Sequence, residues 1–217
     1  MAIRKVVTGN RAAEIAPLLE ESGLFHAVTL NDSGNTVSCR GADGNLRFVL
    51  KTSGYEGIPI GECTFYISGQ SSFRNSDTVA TQNALSVQCV YLCSRGVILD
   101  CTKGAVLLTK NNRGELLYAV SDWAAVTKEE ALGRLRVYSY GDCVRSSYPV
   151  NLQTGYNQRD SAVVFVPFVS APADDSQPVY APDAYFTPVY QFAESGRLNA
   201  DERQYLAYAG CWAIEDV

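Results

Sequence analysis

A chain of 217 residues that is 47% apolar and 19% charged has the composition of a globular protein, and it is long enough to bury roughly 70% of its unfolded surface without a metal or disulfide. Its net charge of −5 argues against a general nucleic-acid binder, because binding phosphate needs a basic surface. No apolar run approaches the length of a membrane span, so neither a nucleic acid nor a membrane is expected among the partners.

The N-terminus, Met1-Ala-Ile-Arg-Lys-Val-Val-Thr8, starts basic but lacks the apolar core of a signal peptide, which predicts synthesis in the cytoplasm. From Asn10 to Ser22 a helix is expected. Asn10 is suited to cap it, Ala12, Ile15, Leu18 and Leu19 form an apolar stripe, and Gly23 ends it. Pro17 should kink this helix or split it into short pieces.

From Phe25 to about Tyr118 the chain reads as strands and turns. Residues 36–40 and 45–51 flank Gly41-Ala-Asp-Gly44, and Val106–Lys110 and Glu115–Val120 flank Asn111-Asn-Arg-Gly114. Both predict tight hairpins with Gly44 and Gly114 at positive φ. Glu62–Ser68, Leu85–Cys93 and Val97–Cys101 read as further strands, and the polar run Gln70–Asp77 reads as a loop. Thr127-Lys-Glu-Glu130 is a capping box and predicts a short helix or turn to Gly133. Leu135–Tyr140 alternates like a strand, and Ser161–Val169 is a strong apolar strand whose Pro167 points to an edge or bulge. Ala171–Gln177 is a polar connector. The fold class expected from this pattern is mainly β: an antiparallel β-sandwich or barrel-like domain with a short N-terminal helix and an extended, aromatic and proline-rich C-terminal arm. The corresponding divisions are a helical segment at 1–24, a β-rich domain at 25–170, and the arm with its terminal element at 171–217.

The candidates for chemistry are sparse. His26 is the only histidine and so the only imidazole base for a Ser-His or Cys-His mechanism. Its place beside Phe25, between helix and strand, favours a structural role. There are seven cysteines, Cys39, Cys63, Cys89, Cys93, Cys101, Cys143 and Cys211. An odd number without a signal peptide predicts free thiols. Cys89, Cys93 and Cys101 have the residue type for a zinc site. On a strand, however, Cys89 and Cys93 stand about 13 Å apart, which favours buried thiols. Asp100, Asp122, Asp142 and Asp160 near strand ends would suit a carboxylate-based hydrolase, although acidic residues are common at turns. Tyr138, Tyr140, Tyr148 and Tyr156 would suit a sugar-stacking platform or ordinary half-buried positions. No phosphate-binding loop, dinucleotide fingerprint, nucleophile elbow or H-E-x-x-H helix is present in the sequence. No catalytic, metal or cofactor-binding residue is therefore assigned, no cofactor is expected, and the chain is not expected to be an enzyme.

The most distinctive stretch is Pro178–Phe192, with three prolines and five aromatics. It is too proline-rich for a helix interior or a central strand and too aromatic for a solvated linker. It is expected to run extended with its rings against its own domain or a neighbouring subunit. Tyr180, Tyr185, Phe186, Tyr190 and Phe192, with Trp212 of the terminal element, are the candidate interface residues, since aromatic side chains are enriched at interface cores.

The pattern Tyr185-Phe-Thr-Pro-Val-Tyr-Gln-Phe192, then Gly196-Arg-Leu198, then Tyr205-Leu-Ala-Tyr-Ala-Gly-Cys-Trp-Ala-Ile-Glu-Asp216 resembles the ends of small structural proteins of tailed bacteriophages of gut bacteria. The hairpin Gly34-Asn-Thr-Val-Ser-Cys-Arg-Gly-Ala-Asp-Gly-Asn-Leu46 is similar to theirs as well. Together these 36 residues make up about a sixth of the chain. The resemblance implies a non-enzymatic structural subunit of a virion (head, tail or fibre-associated), located in the particle. Its partners would be further copies of itself and other virion proteins. The alternatives are a carbohydrate- or receptor-binding β module, with a host-surface glycan as partner, and then a carboxylate-based hydrolase.

Overall fold

The structure, a computed structural model, describes residues 3–6, 11–52, 63–67, 87–101, 104–121, 127, 135–139, 146–147, 166–170, 179–186, 196–200, 202–208 and 212–217. They form a mainly β-sheet domain of three antiparallel sheets and one short helix.

The four-stranded sheet is a meander of β2 (Ala27–Leu30), β3 (Thr36–Arg40), β4 (Leu46–Thr52) and β5 (Cys63–Ile67). The seven-stranded sheet begins with β1 (Ile3–Val6), which lies beside β6 (Val87–Cys93). It continues through β7 (Gly96–Cys101), β8 (Gly104–Lys110), β9 (Leu116–Ser121), β10 (Leu135–Ser139) and β11 (Ser146–Ser147). The five-stranded sheet is built from β12 (Val166–Ser170), β13 (Val179–Phe186), β14 (Gly196–Ala200), β15 (Arg203–Tyr208) and β16 (Trp212–Glu215), in the order β12-β13-β16-β15-β14. Strand pairing crosses both expected domain boundaries: β1 joins the sheet of β6, and β12 pairs with β13.

Helix α1 spans Arg11–Glu21 without a break, and Pro17 lies inside it. The expected split does not occur. A proline inside a helix costs about 3 kcal/mol, whereas fully burying one leucine or isoleucine is worth about 1.5–3 kcal/mol. Ile15, Leu18 and Leu19 are all buried, and Pro17 faces outward. The packing of one face therefore outweighs the local penalty. The helix stops where expected: Gly23 takes φ 64°, the Ser22 amide closes the last turn on the Leu18 carbonyl, and the Ser22 hydroxyl donates to the Leu19 carbonyl at 2.6 Å. The proposed cap at Asn10 lies outside the described residues, as do the 70–77 loop, the 171–177 connector and all but Thr127 of the 127–133 segment.

Both expected hairpins are present. The Gly44 amide donates to the Gly41 carbonyl at 3.0 Å and the Gly114 amide to the Asn111 carbonyl at 2.9 Å. The two glycines sit at φ 76° and 78°, the left-handed geometry that this turn requires. A third turn of the same kind, Asn31–Gly34, joins β2 to β3. In it the Asn31 Oδ1 accepts from the amides of Asn35 and Thr36. In the Gly41–Gly44 turn, Asp43 accepts from the Asn45 amide and pairs with Arg47 at 2.6 Å. The hydrogen bond from Arg47 holds the Asp43 carboxyl down at about 2, below its ordinary 3.8. Because the folded value is the lower one, this stabilisation is present above pH 3.8 and is lost as pH falls through about 2. The difference in denaturation midpoint between the native chain and Asp43→Asn should therefore be constant above the ordinary carboxylate range and shrink across that window. A difference that stays flat down to pH 2 would contradict the pairing.

The seven-stranded sheet places apolar side chains on alternate faces. Val90, Leu92, Val97, Leu99, Val106, Leu108, Leu116 and Tyr118 belong to one cluster, shared with α1 and with Val37, Cys39, Phe48 and Leu50 of the four-stranded sheet. Cys89, Tyr91, Cys93, Ile98, Ala105, Leu107, Leu117 and Ala119 belong to a second cluster, shared with Ala184, Leu206, Tyr208, Trp212 and Ile214 of the five-stranded sheet. The alternation follows from the two-residue period of a strand. At the start of β6 it slips by one residue, through a register shift between Val87 and Cys89. Polar bonds tie the layers together. The Tyr118 hydroxyl donates to the Arg47 carbonyl at 2.6 Å, and the Tyr208 hydroxyl donates to Asp100 Oδ1 at 2.6 Å.

Candidate interaction surface

The candidate surface is built on β13, the first half of the expected arm. Val179–Phe186 is extended, as expected, but it is an interior strand of its own sheet, with β12 on one side and β16 on the other. Three prolines argued against a central strand, and the register shows how Pro182 is accommodated. Val169 faces Tyr180 and Pro167 faces Tyr185, so the residues between them on β13 outnumber those on β12. Pairing with β16 begins only at Ala184. Pro182 thus lies in a bulge, where the ladder asks for no N–H. Pro167 sits beside the same shift on β12, at the edge of the sheet, as its sequence context predicted.

Tyr180 is fixed from outside its sheet. Its carbonyl accepts from the Asn112 amide at 2.8 Å, and its amide donates to Asn112 Oδ1 at 3.1 Å. Asn112 is in the β8–β9 turn, so two backbone groups of one residue are clamped by the neighbouring sheet. The side chain is 41% exposed, one of few large apolar side chains in the described residues to be so. The result is an aromatic ring presented to solvent from a rigid backbone.

The other expected interface residues divide. Tyr185 is half-buried, packs edge-on against Tyr205 at 6.1 Å between centroids, and donates to the Pro182 carbonyl at 2.8 Å. Burial pushes its hydroxyl pKa up. Phe186 pairs through its backbone with Val166 and Trp212. Tyr190 and Phe192 lie outside the described residues. Trp212 is 0% exposed, stacked on Tyr208 at 5.5 Å, so within the folded chain it is a core residue and offers no surface. Its indole Nε1 is buried and finds no acceptor among the described residues.

A polar cluster lies where β1, β6 and β7 meet β15. Arg4 is exposed and stands over the Tyr91 ring at 5.9 Å from the centroid. Hydrogen bonding to Tyr91 raises its already high pKa. Tyr91 packs edge-on against Tyr208, which donates to Asp100, the cross-strand neighbour of Cys89. Burial pushes the Cys89 thiol up, and Arg4 opposes that only in part. A thiol held protonated is a poor nucleophile, and the carboxylate beside it is already engaged by Tyr208.

The remaining candidates fall as follows. Cys39, Cys89, Cys93 and Cys101 are buried free thiols, and burial drives Cys39 to about 12 and Cys93 to about 11. Cys89 and Cys93 belong to one face of the central sheet and Cys101 to the other, so the three do not converge on a metal. Among the described residues no group of three His, Cys, Asp or Glu is placed to hold an ion. His26 has an exposed side chain and donates its backbone amide to Arg40. Asp122, Asp142, Asp160 and Tyr140, Tyr148 and Tyr156 lie outside the described residues, and of Tyr138 only the backbone is described. Among the described residues no helix is long and apolar enough to cross a membrane.

The clamp by Asn112 was not foreseen from sequence. An Asn-Asn turn announces its own hydrogen bonds but not the distant strand that receives one of them. Compared with protein families, curated proteins and solved structures, the chain matches none of them.

Proposed function

We propose that this chain is a non-enzymatic structural subunit of a tailed-bacteriophage virion, whose sheets stack in the manner of an antiparallel β-sandwich and which assembles through protein–protein contacts with its own copies and other virion proteins. The observation that carries the reading is Tyr180. An exposed aromatic on a backbone already fixed at both its N–H and its C=O loses little freedom on docking, which is the property of an interface anchor. The described ionic and polar pairs, Arg47–Asp43, Arg203–Glu215 and Tyr208–Asp100, join turns and strands to one another, as a scaffold uses them. The resemblance of the C-terminal segments to phage structural proteins supplies the kind of assembly.

The test is the composition of the particle. Gradient-purified virions from a culture carrying this gene should contain the chain at a fixed copy number by quantitative mass spectrometry, and Tyr180→Ala should reduce incorporation without unfolding the chain. Particles that lack the chain would overturn the reading.

A further inference from the structure

The five-stranded sheet ends in β14, whose register with β15 runs unbroken from Gly196 opposite Ala207 to Ala200 opposite Arg203. Among the described residues β15 is its one strand neighbour. The loop closing this hairpin has two residues, so the closing pair Ala200 and Arg203 exchanges both backbone bonds. Alternation then turns Leu198 and Gly196 inward as well, and directs the N–H and C=O of Arg197 and Asn199 away from β15. Gly196, Arg197 and Asn199 are exposed, and Leu198 is half-buried. Two of the other edges are blunted in the usual ways. β12 carries Pro167 and a register shift, and β1 carries Arg4 and Lys5. β14 has neither proline nor bulge.

We propose that β14 is a self-pairing edge: two copies of the chain join antiparallel along it, on a two-fold axis at Leu198, and merge their five-stranded sheets into one. This rests on the assembly reading and names one of its contacts. The occupant is a second copy because the strand is complementary to itself in that register. Arg197 meets Asn199 of the second copy, and Asn199 meets Arg197. Every outward backbone group of these residues then gains a partner. The two Leu198 residues face each other at the closer of the two antiparallel spacings, about 4.5 Å between Cα atoms. The single charge on the strand is placed opposite an amide, whereas like charges directly opposite would repel.

The full chain should show a concentration-dependent monomer–dimer equilibrium by sedimentation. Asn199→Arg sets a cation opposite Arg197 twice in each dimer and should weaken the dimer about ten-fold, and Asn199→Glu should tighten it by about as much. Both effects should fade as salt rises. Asn199→Pro removes only an outward N–H and should abolish the dimer while leaving the circular dichroism unchanged. A chain that is monomeric at every concentration, or whose self-association ignores the sign of the charge at 199, overturns the proposal. Such a result leaves the virion reading standing if particles contain the chain. A charge-sensitive dimer in a chain missing from particles defeats the virion reading alone.

Discussion

Replacing Gly96 with alanine is expected to cost about 3 kcal/mol of stability, near the top of the range for overpacking a core. Gly96 is buried at the start of β7, opposite Thr109 of β8. A Cβ built there falls 2.7 Å from the Leu108 carbonyl oxygen, with Ile214 of the five-stranded sheet at 3.6 Å. The obstacle is backbone in the middle of a paired strand, so relief requires β7 and β8 to part. The turn glycines differ in kind. At Gly44 and Gly114 an added Cβ meets nothing within 4 Å, so Gly44→Val or Gly114→Val should cost about 1 kcal/mol, from the left-handed backbone alone. Urea denaturation of the three variants checks the order, and equal midpoints for Gly96→Ala and Gly44→Val would contradict the close approach of β7 and β8.

Truncating Trp212 to alanine should cost about 3–5 kcal/mol. Among the described residues it is the largest fully buried side chain, stacked on Tyr208 and in one cluster with Ile98, Leu107 and Ile214. Trp212→Phe should cost less than the lost volume implies, because it also removes an indole N–H that is buried without an acceptor among the described residues. Tyr180→Ala should change stability by only about 0.5 kcal/mol, as for an ordinary exposed position. Thermal and chemical denaturation of the three variants separates the roles. If Tyr180→Ala proves as damaging as Trp212→Ala, Tyr180 is a core residue and the anchor role fails.

The parts of the fold legible in the sequence are those fixed by local chemistry. Gly44 and Gly114 demand a positive-φ turn, β3, β4, β8 and β9 follow from the runs beside those turns, and β6 and β7 follow from apolar runs of their own. The runs Val97-Ile-Leu and Val106-Leu-Leu carried more than was drawn from them. A strand apolar at every position has both faces covered, which is the situation of the central sheet between its two clusters. Of the C-terminal strands, β14, β15 and β16 were not legible. Tyr205, Tyr208, Trp212 and Ile214 suit a strand, but the runs that hold them are short and carry no turn signal as plain as Gly44 or Gly114, and they form where Tyr208, Trp212 and Ile214 have a sheet to pack on. Pro182 misled in the opposite direction, since the rule against proline applies to ladder positions and the bulge in β13 is not one. Trp212 illustrates a further limit: cores and interfaces bury the same aromatic residues, and only the three-dimensional neighbours tell them apart.

The place of β1 bears on how the chain is made. Ile3–Val6 is made well before its partner Val87–Cys93, which follows only after the helix and the whole four-stranded meander. At ordinary translation speed that interval is on the order of ten seconds. During it, α1 and β2–β5 hold neighbours next to them in sequence and are able to collapse together, with the apolar side of Val37, Phe48 and Leu50 still uncovered. β6 to β9 then arrive as successive hairpins and close over that surface. β1 therefore docks onto a sheet whose other members pair as they emerge, and its addition completes the edge instead of nucleating it.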